Sequence, residues 1–377
     1  MKAVICAYGR TPFHFAHKGR LAGVRPDTLA AHVAAALVQR LDLDPLLLED
    51  LLLGCAYPEA AQGNNLARMV GLLAGLPHSV GGMTLNRLGG SSMQAVHSAA
   101  AQIEAGMGEA FLCLGVESMS MVPPGGFNRS PHPRLQAQGD ATIAIGQTAE
   151  NLAGRWGVAR AEQEAFALHS HRKAAHAQAC GRLAEEIVPI ADAGGAAVQH
   201  DGCIRPQTSL EAMAALRPAF GDAGSVTAAT ASPLTDGAAA LLVASDTFAS
   251  RQRLAPLARI RACASVGVDP AVMGIGPVPA ARKALKRAGI TVADLDVVEL
   301  HEAFASQAIA CARELGLDLA RTNLDGGGLA IGDPLGASGA RITGKAAALL
   351  QRTGGRYALA TQCIAGGQGI ATILERA

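Results

Sequence analysis

Thr84-Leu85-Asn86-Arg87-Leu88-Gly89-Gly90-Ser91-Ser92-Met93-Gln94-Ala95 is the stretch on which the fold turns. Two adjacent glycines and two serines close a short extended run and open a pattern of small and apolar residues at helical spacing. Residues 86–105 therefore read as a sharp turn feeding a helix. The run 109–117 that follows is apolar enough for a buried strand and ends around Gly115. The same order returns later, where Gly336-Ala337-Ser338-Gly339 opens a helix, a strand follows at 357–361, and Gly366-Gly367 ends it. A repeated unit constrains a fold more than any single segment does. It predicts two pseudo-symmetric halves built on parallel-rich sheets, with both turns facing a common centre. Helix N-termini aimed there would offer oriented N–H groups to a developing oxyanion.

Outward from this stretch, short strand patterns alternate with helical ones: a strand at 2–6, a helix at 26–41, a strand at 50–55 and a helix at 64–76. That alternation argues for an α/β protein of layered sheet and helix. Residues 118–235 break the rhythm with prolines 123, 124, 131 and 133, one long charged helix over 159–182, and a loop run over 188–223. They read as an inserted loop domain, which divides the chain into an N-terminal half at 1–117, the insertion at 118–235 and a C-terminal half at 236–377. His169, His171 and His176 on the charged helix read as solvated.

Composition narrows the function classes. Half of the 377 residues are apolar, enough for a large core. Only 3% are aromatic and the formal charge is +1, so neither stacking platforms nor a basic field speak for nucleic acid. The eight cysteines form no C-x-x-C pair and have no histidines at zinc spacing, so no metal site is expected and the thiols read as reduced. The start is a short strand-like run ended by Gly9 and Pro12, and no apolar stretch reaches membrane-spanning length. A cytoplasmic enzyme with no membrane partner is the expectation.

Four motifs carry the chemistry. They are the 84–95 stretch, His301-Glu302-Ala303-Phe304, Gly332-Asp333-Pro334-Leu335-Gly336-Ala337-Ser338-Gly339-Ala340-Arg341, and Cys363-Ile364-Ala365-Gly366-Gly367-Gln368-Gly369. With Arg10-Thr11-Pro12-Phe13 and Ser232-Pro233-Leu234-Thr235-Asp236-Gly237-Ala238, they make the chain resemble the thiolase family over almost its whole length, particularly the degradative 3-ketoacyl-CoA branch. The resemblance implies two βαβαβαββ halves in an αβαβα arrangement with a loop domain that grips coenzyme A. It also implies a dimer or tetramer, with an accessory subunit in prospect, and acyl-CoA as substrate with no covalently bound cofactor. By the same resemblance Ser232 contacts the pantetheine amide, Phe220, Ile145 and Phe304 line its tunnel, and Arg205 meets the nucleotide phosphates. Cys363 matches the acid/base cysteine, and the backbone N–H groups of Gly89 and Ala365 match an oxyanion hole.

The sequence departs from that pattern where the chemistry is concentrated. Gly89 occupies the position of the family's nucleophilic cysteine, and Asp333 that of the histidine in its G-H-P-x-G motif. Acyl transfer through a covalent intermediate needs a thiolate, and a neighbouring histidine lowers that thiol's pKa. Glycine offers no nucleophile. Asp333 reads either as an ion-pair or loop residue or, since the family fold brings the two motifs together, as the partner of His301 in a His–Asp pair acting as a base. Three functions stay open: an acetyl-CoA C-acyltransferase type reaction on 3-oxoacyl-CoA with covalent thiolysis impaired, a retro-aldol lyase acting on a 3-hydroxyacyl-CoA, and a non-catalytic acyl-CoA-binding subunit. Ser91 and Ser92 read as helix caps and His97 as a packed or surface histidine.

Overall fold

The most apolar runs become strands buried on both faces, as a sheet covered by helices on each side requires. In chain order the strands are β1 (Ala3–Arg10), β2 (His14–Phe15), β3 (Asp50–Gly54), β4 (Met83–Leu85), β5 (Ala110–Ser118), β6 (Ile190–Ala191), β7 (Ala197–Val198), β8 (Thr235–Ser245), β9 (Ala258–Gly267), β10 (Val297–Leu300), β11 (Tyr357–Ile364) and β12 (Gln368–Arg376). The computed structural model describes residues 2–138 and 143–377.

The two halves repeat one strand order. β3-β5-β8-β1 in the first matches β10-β11-β12-β9 in the second, and in each the leading pair is parallel and the next two pairs are antiparallel. β4 adds a parallel strand at the edge beside β3, and β1 joins β9 at Val4↔Arg259 and Ile5↔Ala258 to make one ten-stranded sheet. The sheet is mixed, not parallel-rich as the repeat suggested. β3 and β4, and β10 and β11, are linked through helices and run parallel, whereas β11 and β12 are joined by a tight turn at 365–367, which leaves only antiparallel pairing.

β8 corrects the division of the chain. Its eleven residues pair with β5 from Ala110↔Ala244 to Ser118↔Asp236 and with β1 along most of its length, so it completes the N-terminal sheet. The second half therefore begins beyond the helix Asp246–Arg251 rather than at 236. Residues 119–234 stand where the second half has only the β11–β12 turn. They hold the helices Ile145–Arg155 and Arg160–Ala179 and the β6–β7 ribbon. On the longer of these helices His171 is buried, not solvated: its ring accepts the Arg205 N–H at 3.2 Å, and burial with the Arg205 charge pushes its pKa down to about 4.

The helices Ser91–Glu104 and Leu335–Thr353 form the middle layer, packed against strands of both halves. Pro26–Arg40 and Leu66–Leu73 cover the first half from outside, and Pro277–Ala288 and Ala305–Leu315 cover the second. His97 faces the central core, with Nε2 2.8 Å from Thr372 Oγ1, and burial drives its pKa down to about 3. Neither serine of the opening stretch caps its helix. Ser91 Oγ donates to Leu88 O inside the turn, while Ser92 Oγ accepts the Ala340 N–H of the opposing helix at 2.8 Å.

Glu117, near the end of β5 and without solvent exposure, ties these parts together. It accepts the backbone N–H groups of Ala56 and Gly336, both at 2.9 Å, and of Tyr57 at 3.3 Å, and the Gln62 amide at 2.7 Å. Burial raises its pKa and these donors oppose the rise. Glu117→Ala strands three backbone donors in the core. It should lower unfolding stability by about 3 kcal/mol or more, read as a shifted urea midpoint at unchanged slope.

Candidate active site

One cavity of about 220 Å³ lies where the two middle helices, the loop domain and the β11–β12 turn converge. Gly89, His301, Asp333, Cys363 and Ala365 line it, together with Phe220, Ser232, Phe304 and Ile145. Each arrives by a separate local device. Gly89 follows Leu88, held at φ +46°, in a turn whose Asn86 Oδ1 accepts the Leu88 N–H at 2.8 Å. His301 follows β10 and is fixed by its N–H to Thr361 O at 2.9 Å. Asp333 precedes the helix Leu335–Thr353 and donates its N–H to Thr235 Oγ1 at 3.0 Å. Cys363 sits near the end of β11, its thiol buried.

Asp333 is the hub of the polar contacts. Oδ1 accepts Ser338 Oγ at 2.5 Å, Oδ2 accepts Ser232 Oγ at 3.1 Å, and His301 Nε2 approaches Oδ1 to 3.0 Å. That approach is off the ring's N–H direction, so neither His301 nitrogen has an aligned hydrogen-bond partner although the ring is buried. Burial works against a charged imidazole, but the Asp333 carboxylate outweighs it, with help from Cys363, and lifts the His301 pKa to about 10. Burial works equally against the Asp333 charge, and the imidazolium and the two serine hydroxyls hold its pKa below the ordinary range. The pair is an ion pair at neutral pH. A ring that holds its proton favours donating a proton or a hydrogen bond over abstracting one. Burial raises the Cys363 thiol, with His301 pulling the other way, which favours the protonated thiol over a thiolate.

The aromatic side of the cavity is Phe220 edge-on to Phe304, centroids 6.0 Å apart, with the loop domain pinned to the second half by Ser232 N–H to Ala303 O at 2.9 Å. Ile145 stands at the mouth, 45% exposed. Arg205 is not brought to the cavity: it is exposed, its guanidinium 5.4 Å from the Phe15 ring centroid, because its backbone is anchored to His171. Two contributors escaped the sequence reading. Ser338 was legible only as part of a turn, although five residues after Asp333 on a helix start is the spacing that brings it back to the carboxylate. Gln362 gave no signal beyond its position beside Cys363.

Two similar α/β halves together shape one buried cleft in which an imidazole beside a carboxylate, a thiol and a backbone turn meet, a set of groups of the kind that works on acyl carbonyls. Family models agree in detail: "Thiolase, N-terminal domain" matches residues 3–247 and "Thiolase, C-terminal domain" matches residues 254–376. The chain belongs to the thiolase family. It is 47% identical over 387 residues to a 3-ketoacyl-CoA thiolase of Shewanella denitrificans, an alignment that covers 100% of this chain and 99% of that protein. It is 46% identical to a beta-ketoadipyl-CoA thiolase of Escherichia coli over the same shares. The crystal structure of human mitochondrial 3-ketoacyl-CoA thiolase, also solved in complex with CoA, superposes with a TM-score of 0.92 at 37% identity over 100% of this chain and 98% of that one. The fold is the thiolase fold. No helix among the described residues is long and apolar enough to cross a membrane.

The ion pair has a pH signature. His301 titrates above its ordinary 6.5, so its contribution to stability is full below that value and lost as pH rises through about 10. Asp333 titrates below its ordinary 3.8, so its contribution is present above that value and lost as pH falls. Asp333→Asn should therefore cost most stability between about pH 4 and pH 6.5, and progressively less as pH rises from there to about 10. The ring titration of His301, followed by NMR, should drop from about 10 in the same variant, since burial then acts unopposed.

Proposed function

We propose that the chain binds an acyl-CoA with its pantetheine arm running past Ile145, Phe220, Phe304 and Ser232, and acts at the C2–C3 bond of a 3-oxoacyl-CoA. The observation that carries this reading is the convergence of Gly89, His301, Asp333 and Cys363 on one cavity. The charged His301 ring supplies the donor that polarises the substrate's carbonyl oxygen, the Gly89 and Ala365 N–H groups form the second oxyanion site, and, once the thiol of free CoA or a water has added to C3 and lost its proton, the C2–C3 bond breaks and Cys363 delivers a proton to the α-carbon of the departing acetyl group. Asp333 keeps His301 charged and is itself neutralised by it, so it adds no uncompensated negative charge to the cleft.

Covalent thiolysis is the step this arrangement lacks, because nothing at position 89 can take the acyl group. Glycine there is not demanded by the fold. A Cβ at 89 would meet nothing closer than Gln362 Nε2 at 3.6 Å and Leu335 Cδ2 at 3.9 Å, and the residue's φ lies outside the left-handed region. Gly89→Cys combined with Asp333→His should therefore fold like the parent and raise CoA-dependent cleavage of acetoacetyl-CoA by about a thousand-fold or more. A double variant that folds and binds CoA but shows no gain would count against the reading.

The retro-aldol alternative needs a base for the substrate hydroxyl, and an imidazole already carrying its proton is a poor one; release of aldehyde from a 3-hydroxyacyl-CoA, abolished by His301→Ala, would reinstate it. CoA binding with turnover of neither substrate, even in the double variant, would favour a binding subunit. The exposed Leu72 and Leu73 beside edge strand β4 support self-association as a dimer or tetramer, to be measured by sedimentation.

A further inference from the structure

Gln362 precedes Cys363 on β11 and is fully buried, yet it reaches across to the other half of the molecule. Its Nε2 donates to Gly89 O at 2.6 Å. Its Oε1 has no partner, so this one contact fixes which way the amide faces: a flipped amide would set two carbonyl oxygens against each other. Gly339 makes the room, since a Cβ there would lie 3.0 Å from Gln362 Oε1.

The turn at the other end has reason to need a clamp. Leu88 is held at φ +46°, a conformation that L side chains adopt at a cost of about 1 kcal/mol or more and keep only when their surroundings impose it. The next residue is a glycine, whose backbone has the most freedom to lose. Asn86 restrains the near side of the turn through the Leu88 N–H, and its Nδ2 donates to Ala56 O at 3.1 Å. The far side is restrained by Gln362.

We infer that Gln362 is a positioning residue: by holding the carbonyl of the Gly89–Gly90 peptide it fixes the backbone at Gly89, restrains through that residue's torsions the preceding Leu88–Gly89 peptide that carries the Gly89 N–H, and couples the N-terminal turn to the strand that carries Cys363. The functional part of this inference rests on the oxyanion role assigned to that N–H above; the structural part does not.

Two measurements on the full-length chain test it. Gln362→Met keeps the volume and removes the donor, and Gln362→Glu is a second variant in case the first fails to fold. Hydrogen exchange read on the peptide spanning 86–94 should quicken at least tenfold in Gln362→Met while the melting temperature stays near the parent's. In a Gly89→Cys, Asp333→His background, the same change should lower kcat for acetoacetyl-CoA cleavage by about ten- to a hundredfold with the KM for CoA unchanged. The Glu variant should regain kcat on the acid side, where a protonated carboxyl again donates to Gly89 O. Unchanged exchange and unchanged kcat in the Met variant would overturn the inference, as would a Glu variant whose pH profile parallels the parent's. If the double-variant background is itself inactive, the functional reading falls, and the exchange measurement still decides whether the clamp exists.

Discussion

Everything in the cavity depends on how closely two helix N-termini approach. The start of the helix Leu335–Thr353 lies against β5 at backbone distance: a Cβ at Gly115 would come within 2.2 Å of Gly336 O, and one at Gly336 within 2.4 Å of Val116 O. Further along, a Cβ at Gly339 would meet Met93 N of the facing helix at 2.5 Å. No other residue fits these places without parting the layers. Glycines alone would give proximity without register. Glu117, accepting from Gly336 and from Ala56, and Ser92, accepting from Ala340, lock one half to the other by hydrogen bonds that no water can replace in a closed core.

With the halves locked, each turn delivers its group at a fixed place. The same burial decides the electrostatics. In a cleft closed by Phe220, Phe304 and Leu335, a carboxylate and an imidazole 3.0 Å apart are far more stable charged together than apart, which is why His301 rises while Asp333 falls. Ser232 and Ser338 complete the arrangement by occupying the remaining carboxylate acceptors, and Ser232 comes from the loop domain. The pantetheine-facing segment and the acid–base pair are thus parts of one hydrogen-bonded unit.

The repeated turn–helix–strand pattern was enough to see two halves, because it reflects local preferences: glycine where chains approach, small residues along a buried helix, β-branched and apolar runs in strands. What it could not reveal was pairing. β8 reads locally as the opening of a second domain, and only its long-range ladder with β5 and β1 assigns it to the first. Parallel against antiparallel is likewise a property of connections. Of the site, the glycine, the histidine, the aspartate and the cysteine were legible from their motifs. The protonation of His301 was not, since it follows from burial and a 3.0 Å contact. A lone arginine in a loop likewise shows its charge but not the His171 anchor that holds the Arg205 backbone outside the cavity.

Binding and bond-making are separable in such a molecule. The elements proposed to grip an acyl-CoA arm are held by backbone ladders, by Phe220 against Phe304, and by the carboxylate of Asp333, none of which needs a side chain at 89. The turn keeps its shape through Asn86, Ser91 and Gln362 instead. Glycine at 89 therefore costs the fold nothing, and on the proposed reading the N–H groups of the turn and the imidazolium are preorganised without a side chain there. A cleft in that condition still favours negative charge on a substrate's carbonyl oxygen. The open space beside Gly89, where a Cβ would meet nothing closer than 3.6 Å, is the place a nucleophile from solution, CoA itself or water, must occupy for that preference to be expressed as carbon–carbon cleavage.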